Sequence, residues 1–368
     1  MIEGEIIKPI GLGVMLGLTI IDNFFHIDQL FMVFVFTSIL VYIGSINSAK
    51  VFKATNTEDI ETMKQKDAWL FPVFGGAVLV GLFFIFKFLN KDYVNILFHI
   101  YFSFIGAYSI GCIIAEKIGD YPKFKKYGET KLFTVPKIPV INDKPVPVSQ
   151  LEALCFLPGS VFGLLYFFKK NWMMNNLFGC TFSIFGIENM MLGQYKIGVL
   201  LLTLLFFYDV FFVFFTPVMV GVAKNLDGPI KLMFPKVLNY SQPSDFNLIG
   251  LGDIVIPGIY VALMLRFDIV KFIRKNGKGK KIPFNFANFK YFFVTLIGYI
   301  LGIFVTLSIM VIFKHAQPAL LYLVPGTLIS STMCAIVSGD FKELLGFNEE
   351  EVQKEFKEAA EKKEKKSE

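Results

Sequence analysis

Histidine and cysteine, on which most metal and disulfide sites depend, are scarce in this sequence. Only three histidines occur among 368 residues, at His26, His99 and His315, and no H-E-x-x-H motif is present. The four cysteines stand singly within apolar runs, without C-x-x-C spacing. The sequence therefore indicates no disulfide framework, no metal site and no zinc protease. It also has no G-x-S-x-G motif, which argues against a serine hydrolase.

Charge is scarce as well, since 18% of the residues are charged and 54% are hydrophobic, with 44 phenylalanines. Soluble proteins average about 25% charged residues. A helix needs about 20 apolar residues to cross a bilayer. Runs of about this length lie at 29–48, 68–89, 94–115, 150–168, 174–192, 197–221, 246–265, 291–313 and 317–338. The sequence therefore predicts an all-α polytopic membrane protein with nine transmembrane helices.

Basic residues are distributed unevenly between the two sides that nine spans would define. Of the 36 lysines and arginines, 27 lie in connections on the same side as the C-terminus. Connections that face the cytosol carry an excess of basic residues. We therefore expect a lumenal N-terminus and a cytosolic C-terminus. This asymmetry also explains the net charge of +6 without a nucleic-acid partner.

The connections divide the chain into five predicted segments. Residues 1–28 form a lumenal or interfacial N-terminal segment, and 29–115 an N-terminal three-helix unit. Residues 116–149 form a Pro-rich cytosolic loop, expected to be extended because proline disfavours a helix. Residues 150–341 form a six-helix catalytic unit. Residues 342–368, rich in Glu, Lys and Ala, form a charged cytosolic tail.

Two aspartates lie inside predicted spans, where a charged side chain costs a few kcal/mol and is a functional candidate by default. Asp209 is 13 residues from Lys196, and Asp253 is 13 residues from Arg266, the basic residues taken as the cytosolic boundaries of their spans. At a rise of about 1.5 Å per residue, both carboxylates lie roughly 20 Å from that face. The equal depth predicts that they form a pair.

The lumenal side of Asp253 is too short to be helical. Six helical residues from Asn247 to Asp253 would cover about 9 Å, whereas six extended residues cover about 20 Å. We therefore expect Leu248-Ile249-Gly250-Leu251-Gly252 to enter the membrane without helical structure, as its two glycines permit, beside a water-filled cavity. Tyr208 is expected to line a groove or to contact a neighbouring helix.

Paired carboxylates allow more than one function. Two facing acids share a proton and can activate water, as in aspartic proteases, and the sequence does not assign their separate roles. A cation channel or transporter with paired acids, and a non-catalytic membrane adaptor for degradation, are alternatives. Glu188, a third acid near the membrane, is interpreted as structural.

Three motifs in order then carry a resemblance: Tyr208-Asp209, Gly250-Leu251-Gly252-Asp253 and Gln317-Pro318-Ala319-Leu320. This order resembles that of the GxGD intramembrane aspartyl proteases, which include presenilins and signal peptide peptidases. Further stretches resemble the signal peptide peptidase branch, and the similarity runs from about residue 29 to 345. These stretches are 175–179, 229–232, 253–258 and 314–325.

The resemblance implies a presenilin-like fold and an aspartic endopeptidase of the endoplasmic reticulum membrane that cuts signal peptide remnants and other type II segments. It implies catalysis by Asp209 and Asp253 with water and no cofactor. The other motif residues would shape the substrate groove: Tyr208, Gly250, Leu251, Gly252, Gln317, Pro318, Ala319 and Leu320. The implied partners are transmembrane peptides and lipid. A homo-oligomer, or a complex with degradation proteins of the endoplasmic reticulum, is compatible with the resemblance. Presenilins have the opposite orientation.

The C-terminus and the last span carry further expectations. Lys365 and Lys366 fit a di-lysine retrieval signal for the endoplasmic reticulum, which requires a cytosolic C-terminus. Asn239 begins a glycosylation sequon in a predicted lumenal loop. A helix from Pro318 to Lys342 would be about 36 Å long. The last helix is therefore expected to end early, near residues 330–332, or to tilt strongly.

Overall fold

The structure is a computed structural model. It describes residues 13–15, 17–19, 27–49, 62–119, 121–135, 146–169, 171–236, 246–277, 280–313, 317–352 and 354–355. The helices are α1 (Gln29–Ser48), α2 (Gln65–Phe88), α3 (Lys91–Gly119), α4 (Pro122–Glu129), α5 (Gln150–Lys169), α6 (Trp172–Asn189), α7 (Tyr195–Phe214), α8 (Val218–Asn225), α9 (Gly252–Asn276), α10 (Lys290–Phe313), α11 (Leu320–Val337) and α12 (Phe341–Leu345). The strands are β1 (Lys131–Val135), β2 (Val146–Ser149), β3 (Lys231–Pro235) and β4 (Phe246–Gly250).

Seven helices in these ranges are long and apolar enough to cross a membrane, namely α1, α2, α3, α5, α7, α10 and α11. This confirms a mostly helical, polytopic membrane protein. The two remaining predicted runs, 174–192 and 246–265, coincide with α6 and with β4 plus α9. α9 carries charged residues along its length, which lowers its mean hydropathy.

The Pro-rich connection is not wholly extended, and that expectation is wrong for residues 122–129, which form α4. Pro122 occupies the first helical turn, where the missing N–H has no intrahelical partner to lose. The chain then forms an antiparallel hairpin of β1 and β2, with a register shift near Lys131. Part of the loop, 136–145, lies outside the described residues. Strands β3 and β4 form a second two-stranded sheet.

By backbone packing the chain falls into two compact units. The larger comprises residues 1–87, 183–224 and 234–368, and the smaller comprises 88–182 and 225–233. The division of the chain at 116–149 into an N-terminal three-helix unit and a six-helix catalytic unit stays a prediction.

Small residues bring helices close together in the smaller unit. A Cβ atom added to Gly159 on α5 would lie 2.1 Å from the carbonyl oxygen of Ala107 on α3. In lipid no hydrophobic force drives helices together, and small residues allow the close backbone approach that gives van der Waals packing instead. In the same unit, the Asn176 side chain hydrogen-bonds both the N–H and the carbonyl oxygen of Met233, each over 2.7 Å. This amide fixes the middle of β3.

Helix α9 is the core of the larger unit. Every residue from Pro257 to Val270 is buried, and the helix contacts α1, α7, α10 and α11. Its buried carboxylate Asp268 accepts a 2.8 Å hydrogen bond from the backbone N–H of Phe292 at the start of α10. The buried Asp268 carboxylate thus has a hydrogen-bond donor from the protein backbone.

Helices α10 and α11 interlock through facing glycines. A Cβ atom on Gly298 would lie 2.3 Å from the carbonyl oxygen of Gly326, and one on Gly326 would lie 2.5 Å from the carbonyl oxygen of Gly298. Real Cβ atoms do not approach backbone so closely. The glycines therefore fix the position of α11.

Replacing Gly298 by alanine should lower the thermal unfolding temperature of the detergent-solubilised protein. Overpacking of this kind costs about 1–3 kcal/mol, since the obstructing atom belongs to the backbone. Gly81→Ala is the control, because a Cβ atom there meets nothing within 4 Å. A Gly298→Ala protein that melts no lower than the Gly81→Ala protein would contradict the interlock.

Asp340, just after α11, joins the ends of three helices. Its Oδ2 atom accepts hydrogen bonds from Lys271 on α9, from Lys290 over 3.0 Å and from the hydroxyl of Tyr291 over 2.7 Å on α10. Partial burial opposes ionisation, but these hydrogen bonds prevail and lower the pKa of Asp340 to about 2. The charged carboxylate therefore stabilises the folded state.

The contribution of Asp340 should depend on pH. An unfolded aspartate has a pKa of about 3.9, so the stabilisation is complete above that value and is lost as pH falls through about 2. Asp340→Asn should cost on the order of 1 kcal/mol at pH 7, allowing for solvent screening. Thermal unfolding of both proteins across pH should show the difference shrinking below about pH 4. A difference that stays constant down to pH 2 would contradict this role.

Candidate active site

Asp209 lies on the core-facing side of α7. The buried residues of this helix include Gly198, Leu201, Leu202, Leu205 and Asp209, a spacing of three to four residues that marks one helix face. Asp209 is only 3% exposed. A carboxylate in this position needs a polar partner from a neighbouring element.

That partner is the first residue of α11. The backbone N–H of Leu320 donates to Oδ2 of Asp209 over 3.0 Å. The first N–H groups of a helix have no intrahelical acceptor, and the helix dipole favours an anion there. The start of α11 is thus beside Asp209. The predicted early end near residues 330–332 is wrong, because α11 continues to Val337.

Asp253 stands in the first turn of α9, directly after β4. The expected non-helical approach is found up to Gly250, the last residue of β4. It is wrong for Gly252, which opens α9, while Leu251 has right-handed helical angles. The helix begins early because Ile254 and Val255 already donate hydrogen bonds to the carbonyl oxygen of Leu251.

Gly250 lies beside the Asp253 carboxyl. A Cβ atom on Gly250 would lie 3.4 Å from Oδ2 of Asp253. Neither Gly250 nor Gly252 has a positive φ angle, so conformational freedom is not the reason for glycine here. The hydroxyl of Tyr299 on α10 is 3.5 Å from the carbonyl oxygen of Asp253.

The structure brings Asp209, Asp253, Gly250 and Leu320 together. The carboxyl groups of Asp209 and Asp253 are close enough for Coulombic repulsion to act between them. Such a pair can hold one proton and one negative charge on either side of a water molecule. The arrangement therefore supports acid and base catalysis by one site.

The other motif residues differ in burial and contacts. The Tyr208 ring packs at a tilt against Phe212, with 4.6 Å between the ring centroids, and lies near Gly75 and Gly76 of α2, as expected of a contact with a neighbouring helix. Pro318 is buried, and Leu251, Gln317 and Ala319 are half-buried. Glu188 accepts a 3.0 Å hydrogen bond from Asn47, consistent with a structural role. Lys365, Lys366 and Asn239 lie outside the described residues.

One residue was misplaced by sequence reasoning. The predicted cytosolic boundary at Arg266 is wrong, because this side chain is fully buried and paired with Glu349. Helix α9 continues for ten residues beyond it, to Asn276. One sequence feature sets Arg266 apart from a boundary residue. In Leu265-Arg266-Phe267-Asp268, two charged residues interrupt an otherwise apolar run.

Comparison with known proteins decides the family. The family model described as signal peptide peptidase matches residues 55–351. The chain belongs to the signal peptide peptidase family. It is 36% identical over 318 residues to the signal peptide peptidase of Homo sapiens, covering 84% of this chain and 80% of that protein, and equally similar to that of Mus musculus. A probable intramembrane protease of Schizosaccharomyces pombe is 33% identical over 310 residues, covering 84% and 91%.

Membership of the family agrees with the arrangement of the site. The matched region contains all three motifs and every residue of the site described above. The function of the chain is therefore intramembrane proteolysis. The family gives no support to a channel or to a non-catalytic adaptor.

Proposed function

We propose that the chain is an aspartic endopeptidase in which Asp209 and Asp253 are the catalytic pair. The observation that carries this is the meeting of two intramembrane carboxylates with the N-terminus of α11 at one place. Water is the only reactant besides the substrate peptide, and no metal or organic cofactor is needed. In the described ranges no cluster of three metal-ligating side chains occurs.

The two carboxylates have different roles. Asp209 accepts the N–H of Leu320, and a hydrogen bond to a charged group contributes about 1.5–3 kcal/mol. Asp253 has only the dipole of its own helix, about 0.3–1 kcal/mol, since no described residue donates to its carboxyl. Asp209 is therefore the ionised member and Asp253 the protonated one.

The reaction follows from these roles. Asp209 removes a proton from water, whose oxygen attacks the scissile carbonyl carbon. Asp253 donates its proton to the carbonyl oxygen, which gives a neutral gem-diol. The proton on Asp209 then passes to the amide nitrogen as the C–N bond breaks, and Asp253 recovers a proton from a gem-diol hydroxyl as the new carboxyl group forms. Both aspartates return to their starting states.

The substrate and topology follow from the charge distribution. We infer that α6 and α9 also cross the membrane, as the fifth and seventh of nine spans, in a presenilin-like arrangement with a lumenal N-terminus and a cytosolic C-terminus. The excess of basic residues on the C-terminal side supports this orientation. Substrates are then type II segments, such as signal peptide remnants in the endoplasmic reticulum. Lys365 and Lys366 would return the protein to that membrane.

Cleavage by the purified protein tests the proposal. A synthetic type II transmembrane peptide in detergent should be cut within its apolar segment, with product masses that place the site there. A peptide isostere with a central hydroxyl should inhibit at low concentration, because it resembles the gem-diol. A chelator should have no effect. Inhibition by the chelator, or none by the isostere, would contradict the aspartic mechanism.

A further inference from the structure

A buried ion pair lies near the middle of α9, 13 residues after Asp253. Arg266 Nε donates to Glu349 Oε1, and both side chains are 0% exposed. A charge removed from water loses several kcal/mol of hydration, so it is tolerated only with a partner of opposite charge. The pair joins α9 to the segment after α12, 83 residues along the chain.

The same glutamate holds the start of α7. The N–H of Gly193 donates to Glu349 Oε2 over 3.2 Å, and the N–H of Glu349 donates to the carbonyl oxygen of Gly193 over 2.7 Å. Gln194 and Asn348 form an antiparallel bridge beside them. Gly193 has a φ angle of 73°, which a side chain would strain. One carboxylate thus joins the two helices that carry Asp209 and Asp253.

The spacing along the two helices is nearly equal. Asp253 precedes Arg266 by 13 residues, and Asp209 follows Tyr195, the first residue of α7, by 14. Both intervals correspond to about 20 Å of helix. Because a helix transmits axial displacement along its length, a connection between the start of α7 and the middle of α9 fixes the relative level of the two carboxylates.

The hydrogen-bond donors of the Arg266–Glu349 pair are only partly used, which is unfavourable for a contact that serves stability alone. Nη1 and Nη2 of Arg266 are buried and have no hydrogen-bond partner among the residues that the structure describes. A buried ion pair with unsatisfied donors contributes little net stability, and apolar replacement is often neutral. This favours a geometric role.

We propose that Glu349, bonded to Arg266 and Gly193, is a positioning residue for catalysis. This clamp of three residues fixes the axial offset between α7 and α9, so that Asp209 and Asp253 face the same water. The proposal rests on the assignment of these two aspartates as the catalytic pair.

Three variants test the clamp through kcat, KM and thermal unfolding of the full chain in detergent. Glu349→Gln should lower kcat at least about tenfold with KM within about twofold, since small displacements of catalytic groups cost up to about 100-fold. The double variant Arg266→Met with Glu349→Gln removes the unpaired charge. It should melt near the wild-type temperature while its kcat stays low.

Glu355→Gln is the matched control. Glu355 pairs with Arg274 over 3.2 Å, which joins the same helix to the same C-terminal segment, but both side chains are exposed. Its loss should leave kcat, KM and melting unchanged.

Two results would overturn the clamp. One is a wild-type kcat in Glu349→Gln. The other is a double variant whose kcat recovers together with its melting temperature, which would make the pair purely structural. If the single variant does not fold, the double variant decides. Asp253→Asn, assayed in parallel, separates the two proposals: its activity would refute the catalytic pair, whereas its inactivity beside a fully active double variant would refute only the clamp.

Discussion

Replacing Asp253 by asparagine should lower kcat for a transmembrane peptide by roughly four orders of magnitude, the scale of loss when one member of a catalytic unit is removed. Asparagine keeps the size of the side chain but cannot give up and recover a proton. Asp209→Asn should have the same effect, and the double variant should lose little more, because the pair acts as a unit. Substrate affinity should stay within a few-fold, as measured by binding of a labelled peptide.

Asp268→Asn is the control for this experiment. Asp268 is a second buried carboxylate of α9, 3% exposed, and accepts the N–H of Phe292. Asparagine can accept the same hydrogen bond, so kcat should change only a few-fold. Equal losses in Asp268→Asn and Asp253→Asn would mean that charge removal merely disturbs α9. Residual activity within tenfold of wild type in Asp253→Asn would remove that residue from the reaction.

The sequence was sufficient where a local property decides the structure. The long apolar runs with few charged residues became α1, α2, α3, α5, α7, α10 and α11. The extended approach to Asp253 followed from a length argument, because too few residues precede it for a helix to reach its depth. The strand β4 has this form up to Gly250.

The sequence was insufficient where a distant partner decides. Arg266 looked like a boundary residue because an arginine in an apolar run normally lies at the membrane surface. Its partner Glu349 is 83 residues away, and hydrophobic periodicity carries no information on such pairs. The depth of Leu320 could not be predicted from the sequence either. It depends on the position of α11, which is set by the contact of Gly326 with Gly298 on α10.

Replacing Leu320 by proline should remove the donor to Asp209 and leave most of α11 intact. Leu320 is the first residue of that helix, a position where proline is well tolerated. Without the N–H, ionised Asp209 loses about 1.5–3 kcal/mol of stabilisation. The acid limb of the kcat profile should therefore move about one to two units toward higher pH, and kcat measured at a pH on that limb should fall by about 10- to 100-fold.

Leu320→Ala separates this backbone effect from the loss of the side chain. Alanine removes the buried side chain of Leu320 but keeps its N–H, so the acid limb should stay in place even if the protein melts earlier. Proline also strains Ala319, which has helical angles that are disfavoured before proline; melting curves of both variants measure this cost. If both variants shift the acid limb equally, packing controls Asp209 and the hydrogen bond does not. If neither shifts it, Asp209 is not the base, and the roles of the two aspartates must be exchanged.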